Sequence, residues 1–312
     1  MAIWAAAGAL FLGLIAAVHF QPDRSAAEAV EYFNVQRLDR LPAKRTGGGR
    51  PRVIVVGTSL TLCGLYFDED MERLAALTGA PSMDFVRFVK LDGSLTDFSP
   101  LLPFIANAEP DIVFFESTLF LIDSPRENEG RRGNAGFLRQ EIGDDRKKLQ
   151  SLLRLWSGRR TPIGESLSPN SLVSARRVFT RIPDRRTQEE QDDLERFARN
   201  AGTRMKLRPV SLPGPYASFL QDLQRRGVPV VLLDIPRTPR SDSTYPPEIL
   251  RNMSRSIAGF QEAYGLGYLA CPFRQGPTYY KDIVHLNARG RDVYCRWFLS
   301  QLPGLLKKGM RP

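Results

Sequence analysis

Short apolar runs alternate with segments of helical periodicity along most of the chain. Runs of four to eight apolar, often β-branched residues are typical of buried strands, and they occur at residues 52–56, 83–90, 110–115, 228–234 and 268–271. Apolar residues spaced three and four apart predict helices at residues 67–79, 97–108, 215–226, 247–264 and 288–302. Strands that alternate with helices in this way predict an α/β fold with a mainly parallel sheet.

The N-terminal segment differs from this pattern because residues 2–20 contain no charged side chain. Its length is close to the roughly 20 apolar residues that span a bilayer. We expect one transmembrane helix as a membrane anchor over residues 1–22, a juxtamembrane helix and linker over 23–50, and the folded body over 51–308. A cleaved signal peptide is the alternative, but no Lys or Arg precedes the run and no small-x-small cleavage site follows it.

The formal charge of +10 is concentrated in one segment. Residues 125–209 contain 20 Lys and Arg against 12 Asp and Glu, a difference of +8. We expect a basic, mainly helical insertion at about residues 124–210, with helices near 137–156 and 188–206, because the segment is too long for a simple crossover. Such a surface suits an anionic glycan, lipid headgroups or nucleic acid, or is a solvated helical face. The absence of a binding motif and the scarcity of aromatics disfavour nucleic acid.

Candidate chemistry lies where the first strand ends and just before the last helix. Ser59 follows the first strand after Gly57, and the carboxyl ends of parallel strands are where α/β folds bind ligands. Asp282 precedes His285 by three residues, a spacing that lets a carboxylate orient an imidazole as general base. The structural alternatives are a helix-capping Ser59, a capping or surface His285 and an Asp282 that only forms an Asx-turn.

The remaining reactive side chains predict no cofactor and no metal site. Three cysteines without CxxC spacing indicate neither a disulfide framework nor zinc, although a bridge between Cys271 and Cys295 stays open. Cys63 lies in an apolar segment and is expected to be a buried hydrophobic residue. Glu116, at a strand end, is either a site carboxylate or the partner of an Arg in the insertion.

Two sequence blocks resemble the SGNH/GDSL hydrolase superfamily. Gly57-Thr-Ser-Leu-Thr61 stands where that family has its Gly-Asp-Ser-Leu block, and Asp282-Ile-Val-His285 matches its last block. The resemblance covers about residues 52–302, interrupted by the insertion, and implies a three-layer, flavodoxin-like fold with Ser59, His285 and Asp282 as catalytic triad.

By the same resemblance, the backbone N–H groups of Ser59 and Gly93 are the expected oxyanion donors. The family's third block, Gly-x-Asn-Asp, usually adds an Asn side chain, but the corresponding residues 110–120 contain no Asn. Thr118 is the candidate to donate in its place.

An anchor followed by such a domain resembles the membrane-anchored SGNH-like proteins of bacterial envelope O-acylation. The resemblance implies an O-acyltransferase or acyl esterase that acts on a cell-envelope polysaccharide (an exopolysaccharide or related polymer), beside a membrane-bound O-acyltransferase. One alternative is an inactive scaffold that binds the polymer or that acyltransferase; another is an esterase of small esters or lipids. The resemblance implies a single-pass inner-membrane protein with a periplasmic body, whereas the positive charges after the anchor alone favour a cytoplasmic one. Because acidic residues are mixed with those charges, we expect the periplasmic side.

Overall fold

The computed structural model describes residues 49–90, 93–123, 206–272 and 276–309, together with residues 192, 195, 196 and 199. The predicted anchor, the juxtamembrane segment and the insertion helix near 137–156 lie outside these residues. Of the second insertion helix, near 188–206, the described positions 192, 195, 196 and 199 are helical. No helix within the described part of the chain is both long and apolar enough to cross a membrane.

The central sheet has five strands, which are β1 Arg52–Gly57, β2 Asp84–Val89, β3 Ile112–Glu116, β6 Val230–Asp234 and β7 Gly267–Ala270. Their order in the sheet is β2-β1-β3-β6-β7. Each pair of neighbours is parallel. Renumbered within the sheet, the order is 2-1-3-4-5, which is the flavodoxin-like arrangement. The predicted α/β class and all five predicted strands are therefore confirmed.

Helices follow most strands and cover both faces of the sheet. They are α1 Ser59–Gly64, α2 Asp68–Thr78, α3 Leu102–Asn107, α4 Ser117–Leu121, α5 Gly214–Arg225, α6 Pro239–Asp242, α7 Pro247–Tyr264 and α8 Ala288–Gly309. Two 3₁₀ segments, Leu95–Leu101 and Pro277–Tyr279, complete the described elements. The observed bounds of the five strands and of α2, α5 and α7 differ from the predicted bounds by no more than two residues.

Two of the helix predictions need correction. The helix predicted at 97–108 begins as the 3₁₀ segment, which contains Pro100, and becomes α-helical only at Leu102. Proline removes a backbone donor and disfavours a continuous α-helix through this point. The last helix continues beyond the predicted end at 302, through Pro303, because Leu306 still packs in the core.

Alternating side chains of the strands build two separate cores, one on each face of the sheet. On one face Val55, Phe85 and Phe114 pack against α2 and α8. The rings of Phe114 and Phe298 of α8 meet edge to face, 5.0 Å apart. On the other face Phe115 and Phe88 pack against residues of α3, α5 and α7. The helix, sheet and helix layers give the three-layer architecture and leave the ends of the strands as the place for a site.

A small antiparallel ribbon pairs residues on either side of the predicted insertion. Strands β4, Ile122–Asp123, and β5, Lys206–Leu207, pair with Ile122 opposite Leu207. Two-residue strands have no periodicity, so the sequence did not predict this ribbon or the five-residue helix α4 before it. Because β4 follows β3 and α4, the ribbon lies on the carboxyl side of the sheet.

Candidate active site

The turn from β1 into α1 carries Ser59 as the first residue of the helix. Thr58 is the N-cap, and its hydroxyl accepts a hydrogen bond from the N–H of Leu60 at 3.4 Å. The first N–H groups of a helix have no acceptor inside the helix, so they turn to side chains or ligands. Ser59 therefore stands at the carboxyl end of β1, among N–H groups that need outside acceptors.

The last residue of β1, Gly57, lies where there is no space for a side chain. A Cβ atom at this position would lie 1.8 Å from Oγ1 of Thr61 and 2.8 Å from Oε2 of Glu116. The turn is therefore packed directly onto the end of β3, with no room for a side chain between them.

Glu116 ends β3 and accepts hydrogen bonds from Thr58 and Thr61 of the turn and from Thr118 of α4. Its Oε2 accepts from the backbone N–H of Thr58 at 2.8 Å, the N–H of Thr61 at 3.1 Å and the hydroxyl of Thr61 at 2.7 Å. Its Oε1 accepts from the hydroxyls of Thr58 at 2.6 Å and Thr118 at 2.5 Å. Only 1 % of the residue is exposed. Of the two interpretations left open by the sequence, a carboxylate within the site is the one that the contacts support.

Arg87 of β2 holds the other end of α1. Its Nη1 donates to the carbonyl of Thr61 at 3.4 Å, that of Leu62 at 3.3 Å and that of Leu65. The guanidinium is fully buried and lies 4.9 Å from the ring centroid of Phe67. An acid at the N-terminus of a helix and a cation at its C-terminus both match the helix dipole.

The Asp282–His285 turn is held by hydrogen bonds between the Asp282 side chain and the backbone N–H groups of the turn. Oδ1 of Asp282 accepts from the N–H groups of Val284 at 2.9 Å and His285 at 2.8 Å, as in an Asx-turn. From the loop after β6, Thr238 donates to the carbonyl of Ile283 through its N–H at 3.3 Å and through its hydroxyl at 2.5 Å. The turn is thus held by hydrogen bonds from the loop after β6 as well as by its own hydrogen bonds.

The same carboxylate also contacts the imidazole of His285. Nδ1 of His285 lies 2.9 Å from Oδ2 and 3.0 Å from Oδ1 of Asp282. An ionised carboxylate only accepts, so Nδ1 carries a proton, and in the neutral imidazole Nε2 is then an acceptor. Asp282 therefore forms the Asx-turn and contacts the imidazole of His285 at the same time.

The structure brings Ser59 against this histidine. Oγ of Ser59 lies 2.9 Å from Nε2 of His285, although the two residues are 226 positions apart in the chain. The Asp282 side chain is fully buried, and 17 % of the His285 side chain is exposed. The three side chains thus form a continuous chain from a buried acid through an imidazole to a hydroxyl, the arrangement that can activate a serine.

Asp282 is held as an anion despite its burial. Burial alone would raise the pKa of Asp282, but the hydrogen bond and charge of His285 and the backbone N–H groups of Val284 and His285 outweigh it and lower that pKa. A carboxylate that stays ionised is suited to orient an imidazole and to offset the charge of an imidazolium.

The other sequence-predicted donors lie at the same edge of the sheet but are already engaged. The N–H of Lys90, just after β2, donates to the carbonyl of Gly57 at 3.1 Å, and the N–H of Gly93 donates back to the carbonyl of Lys90 at 3.2 Å. Thr118 gives its hydroxyl proton to Glu116. Among the residues that the structure describes, we find no acceptor for the N–H of Ser59.

A second acid lies at the end of β6. The hydroxyl of Ser117 donates to Oδ1 of Asp234 at 3.1 Å. Burial raises the pKa of Asp234, although the charge of Arg237 opposes the shift. Asp234 thus joins α4 to β6, and its charge at the end of an otherwise apolar strand is the sequence signal that points to it.

The three cysteines, Cys63, Cys271 and Cys295, are free thiols, and Cys63 is buried as predicted. Burial raises the pKa of Cys295 to about 12. Within the described ranges, no three His, Cys, Asp or Glu residues are grouped so that they could hold a metal ion.

Comparisons with known proteins return solved structures only. No family model and no curated protein matches the chain. The chain is similar to a lipase/acylhydrolase from Enterococcus faecalis, with 11% identity over 81% of this chain and 96% of that one and a TM-score of 0.39. It is also similar to two mutants of the esterase AlinE4, with 14% identity over 86% of this chain and 100% of theirs and a TM-score of 0.34. The chain's own strand order assigns the flavodoxin-like fold.

The lowered pKa of Asp282 predicts how stability depends on pH. An acid whose pKa is lower in the folded protein stabilises the fold above its ordinary pKa, here 3.8, and loses that contribution as the pH falls through the lowered value. The free energy of unfolding of the wild type should therefore exceed that of Asp282→Asn at pH 7, and the difference should shrink below about pH 4. Urea unfolding of both proteins from pH 7 to pH 3 measures it. A difference that does not change with pH would contradict the prediction.

The close packing at Gly57 predicts a local effect of one added methyl group. Gly57→Ala should lower the free energy of unfolding by about 1–3 kcal/mol, because Thr61 or Glu116 must move. Gly214→Ala is the matched control, since a Cβ there meets no atom within 4 Å and alanine suits a helix better than glycine. Thermal and urea unfolding measure both variants. Equal stability of the two would show that the turn accommodates a side chain.

Proposed function

We propose that the chain is a serine-dependent acyl esterase or O-acyltransferase with Ser59 as nucleophile, His285 as general base and Asp282 as the acid that orients it. The observation that carries the proposal is the 2.9 Å approach of Ser59 Oγ to His285 Nε2, with the other ring nitrogen on a buried carboxylate. Acyl transfer fits these residues because a hydroxyl becomes a nucleophile only when a base removes its proton.

The steps follow from the order of the three side chains. Ser59 Oγ attacks the acyl carbonyl while Nε2 of His285 takes the hydroxyl proton. The tetrahedral intermediate then expels the alcohol, which receives that proton from His285, and an acyl ester remains on Ser59. A water or an acceptor hydroxyl, deprotonated by His285, attacks the ester and releases the acid or the acylated acceptor. Throughout, the Asp282 anion offsets the positive charge of the imidazolium.

We further propose a cell-envelope polysaccharide as the acceptor or substrate. The support comes from the sequence: an uncharged N-terminal run suited to a membrane anchor, and a net charge of +8 over residues 125–209 that suits an anionic polymer. On this proposal the chain is a single-pass protein of the bacterial inner membrane with a periplasmic body. A membrane-bound O-acyltransferase would supply the acyl group.

One observation favours a second candidate, a scaffold without catalysis. The N–H of Gly93 and the hydroxyl of Thr118 donate to Lys90 and Glu116, so neither is free to stabilise an oxyanion in this arrangement. Loss of one oxyanion donor costs about 100- to 1000-fold in rate. An enzyme with this site is therefore expected to be slow, and a domain with no activity would bind the polymer or the acyltransferase.

Covalent labelling of the full-length protein separates these candidates. A fluorophosphonate probe should label the wild type, and Ser59→Ala and His285→Ala should both abolish the labelling, because an unactivated serine hydroxyl reacts poorly. The matched control is Ser300→Ala, which removes another serine hydroxyl, exposed on α8 and bonded to the carbonyl of Trp297. This variant should label as the wild type does.

The other outcomes are equally decisive. Folded wild-type protein that does not label would favour the scaffold. Labelling that survives in Ser59→Ala would place the reactive group elsewhere. If the wild type labels, cleavage of aryl acetates without any polymer would favour a small-ester or lipid esterase, whereas turnover that requires a glycan hydroxyl would favour the transferase.

A further inference from the structure

We infer that Glu116 is a positioning residue for the nucleophile: its buried carboxylate sets the backbone turn that presents Ser59 to His285. The inference rests on the proposed function, in which Ser59 is the nucleophile. It adds a residue that lies 57 positions away in sequence, on a different strand.

Glu116 accepts hydrogen bonds from residues on both sides of Ser59 in the sequence. Oε2 accepts the N–H of Thr58, directly before the serine, at 2.8 Å and the N–H of Thr61, two residues after it, at 3.1 Å. These N–H groups belong to the Gly57–Thr58 and Leu60–Thr61 peptide groups, which lie on either side of the two peptide groups that contain Ser59. Binding both to one oxygen constrains the turn that carries the Cα and the hydroxyl of Ser59.

The hydroxyl groups around Glu116 form an oriented set. A carboxylate only accepts, so the hydroxyls of Thr58, Thr61 and Thr118 all give their protons to it. The Thr58 hydroxyl can then accept from the N–H of Leu60, as it does at 3.4 Å. All five donors to Glu116 are neutral groups with distinct directions, so the carboxylate fixes geometry in a way that a single opposite charge would not.

Strand register makes this contact specific to the end of β3. Val56 of β1 pairs with Phe115 of β3, so Gly57 is the residue of β1 beside Glu116. The missing side chain at Gly57 lets Oε2 reach the turn, since a Cβ would lie 2.8 Å from that oxygen. A shorter acid at position 116 would not reach both N–H groups from the same place on the strand.

The test compares labelling rates of the full-length protein with the fluorophosphonate probe. Glu116→Ala should lower the maximal labelling rate about 100-fold, the effect of misplacing a reactive group by about 1 Å, while the probe concentration at half-maximal rate changes little. Glu116→Gln should restore the rate to within about tenfold of the wild type. Its amide oxygen can accept the two N–H groups, and its NH₂ can donate to the hydroxyls of Thr58 and Thr118, which can accept.

A destabilised variant outside the site controls for a merely structural role. Leu223 of α5 is fully buried in the core on the α3, α5 and α7 side of the sheet. Leu223→Ala should reduce stability and leave the labelling rate of the folded protein unchanged. If Glu116→Ala labels as fast as the wild type, the inference is overturned while the proposed function stands.

Amide hydrogen exchange gives a readout that does not need activity. In Glu116→Ala the amides of Thr58 and Thr61 should lose protection relative to the wild type, whereas in Leu223→Ala the ratio of their protection to that of the β3 amides should be unchanged. If the wild type does not label, the proposed function fails, and exchange alone decides whether Glu116 sets the turn. Protection that persists at both amides in Glu116→Ala overturns the inference in either case.

Discussion

The candidate site depends on one buried carboxylate that satisfies the backbone where β1 turns into α1. A helix that starts at the edge of a sheet exposes N–H groups that the sheet no longer pairs and the helix does not yet pair. Glu116 accepts two of these groups and three neighbouring hydroxyls from inside the protein. Burying a charge without such hydrogen bonds would be costly. Arg87 meets the carbonyls at the other end, so α1 is fixed although it has six residues.

Topology explains why these groups meet. The chain passes from β1 to β2 on one side and returns to β3 on the other, so the direction of winding reverses at β1. In doubly wound sheets, the loops diverge at such a point and leave a crevice above the carboxyl ends of the strands. Ser59 stands directly above β1, with Glu116 from the neighbouring strand beneath the turn. The Asp282–His285 turn, which precedes α8, completes the arrangement from the far end of the sequence.

Much of the fold and part of the site follow from local sequence patterns. Apolar runs identify the strands because β1, β2, β3 and β6 are buried on both faces, and periodicity identifies α7 because it has five turns with one apolar side. Ser59, Asp282 and His285 stand out through residue type and position next to a strand or a helix. The structure brings these three side chains within hydrogen-bond distance of one another.

The supporting groups could not be predicted in the same way. The roles of Glu116 and Arg87 depend on which strands are neighbours and on the register of those strands. The local sequence around these two residues specifies neither the neighbours nor the register. A charged residue in an otherwise apolar strand is the signal that was present, since Glu and Arg are rarely buried without partners. The contacts of Gly93 with Lys90 and of Thr118 with Glu116 are local in sequence, but they depend on turn geometry that residue type alone does not specify. Short elements such as α4, β4 and β5 have too few residues for any periodicity.

The most direct measurement is to trap the covalent intermediate that the account requires. The full-length protein is mixed with an aryl acetate, quenched in acid during turnover, and digested for peptide mass spectrometry. We predict an acetyl group on the peptide that contains Ser59, absent when Ser59→Ala is treated in the same way. Ester cleavage by the wild type that leaves Ser59 unmodified, or that proceeds equally fast in Ser59→Ala, would contradict the account.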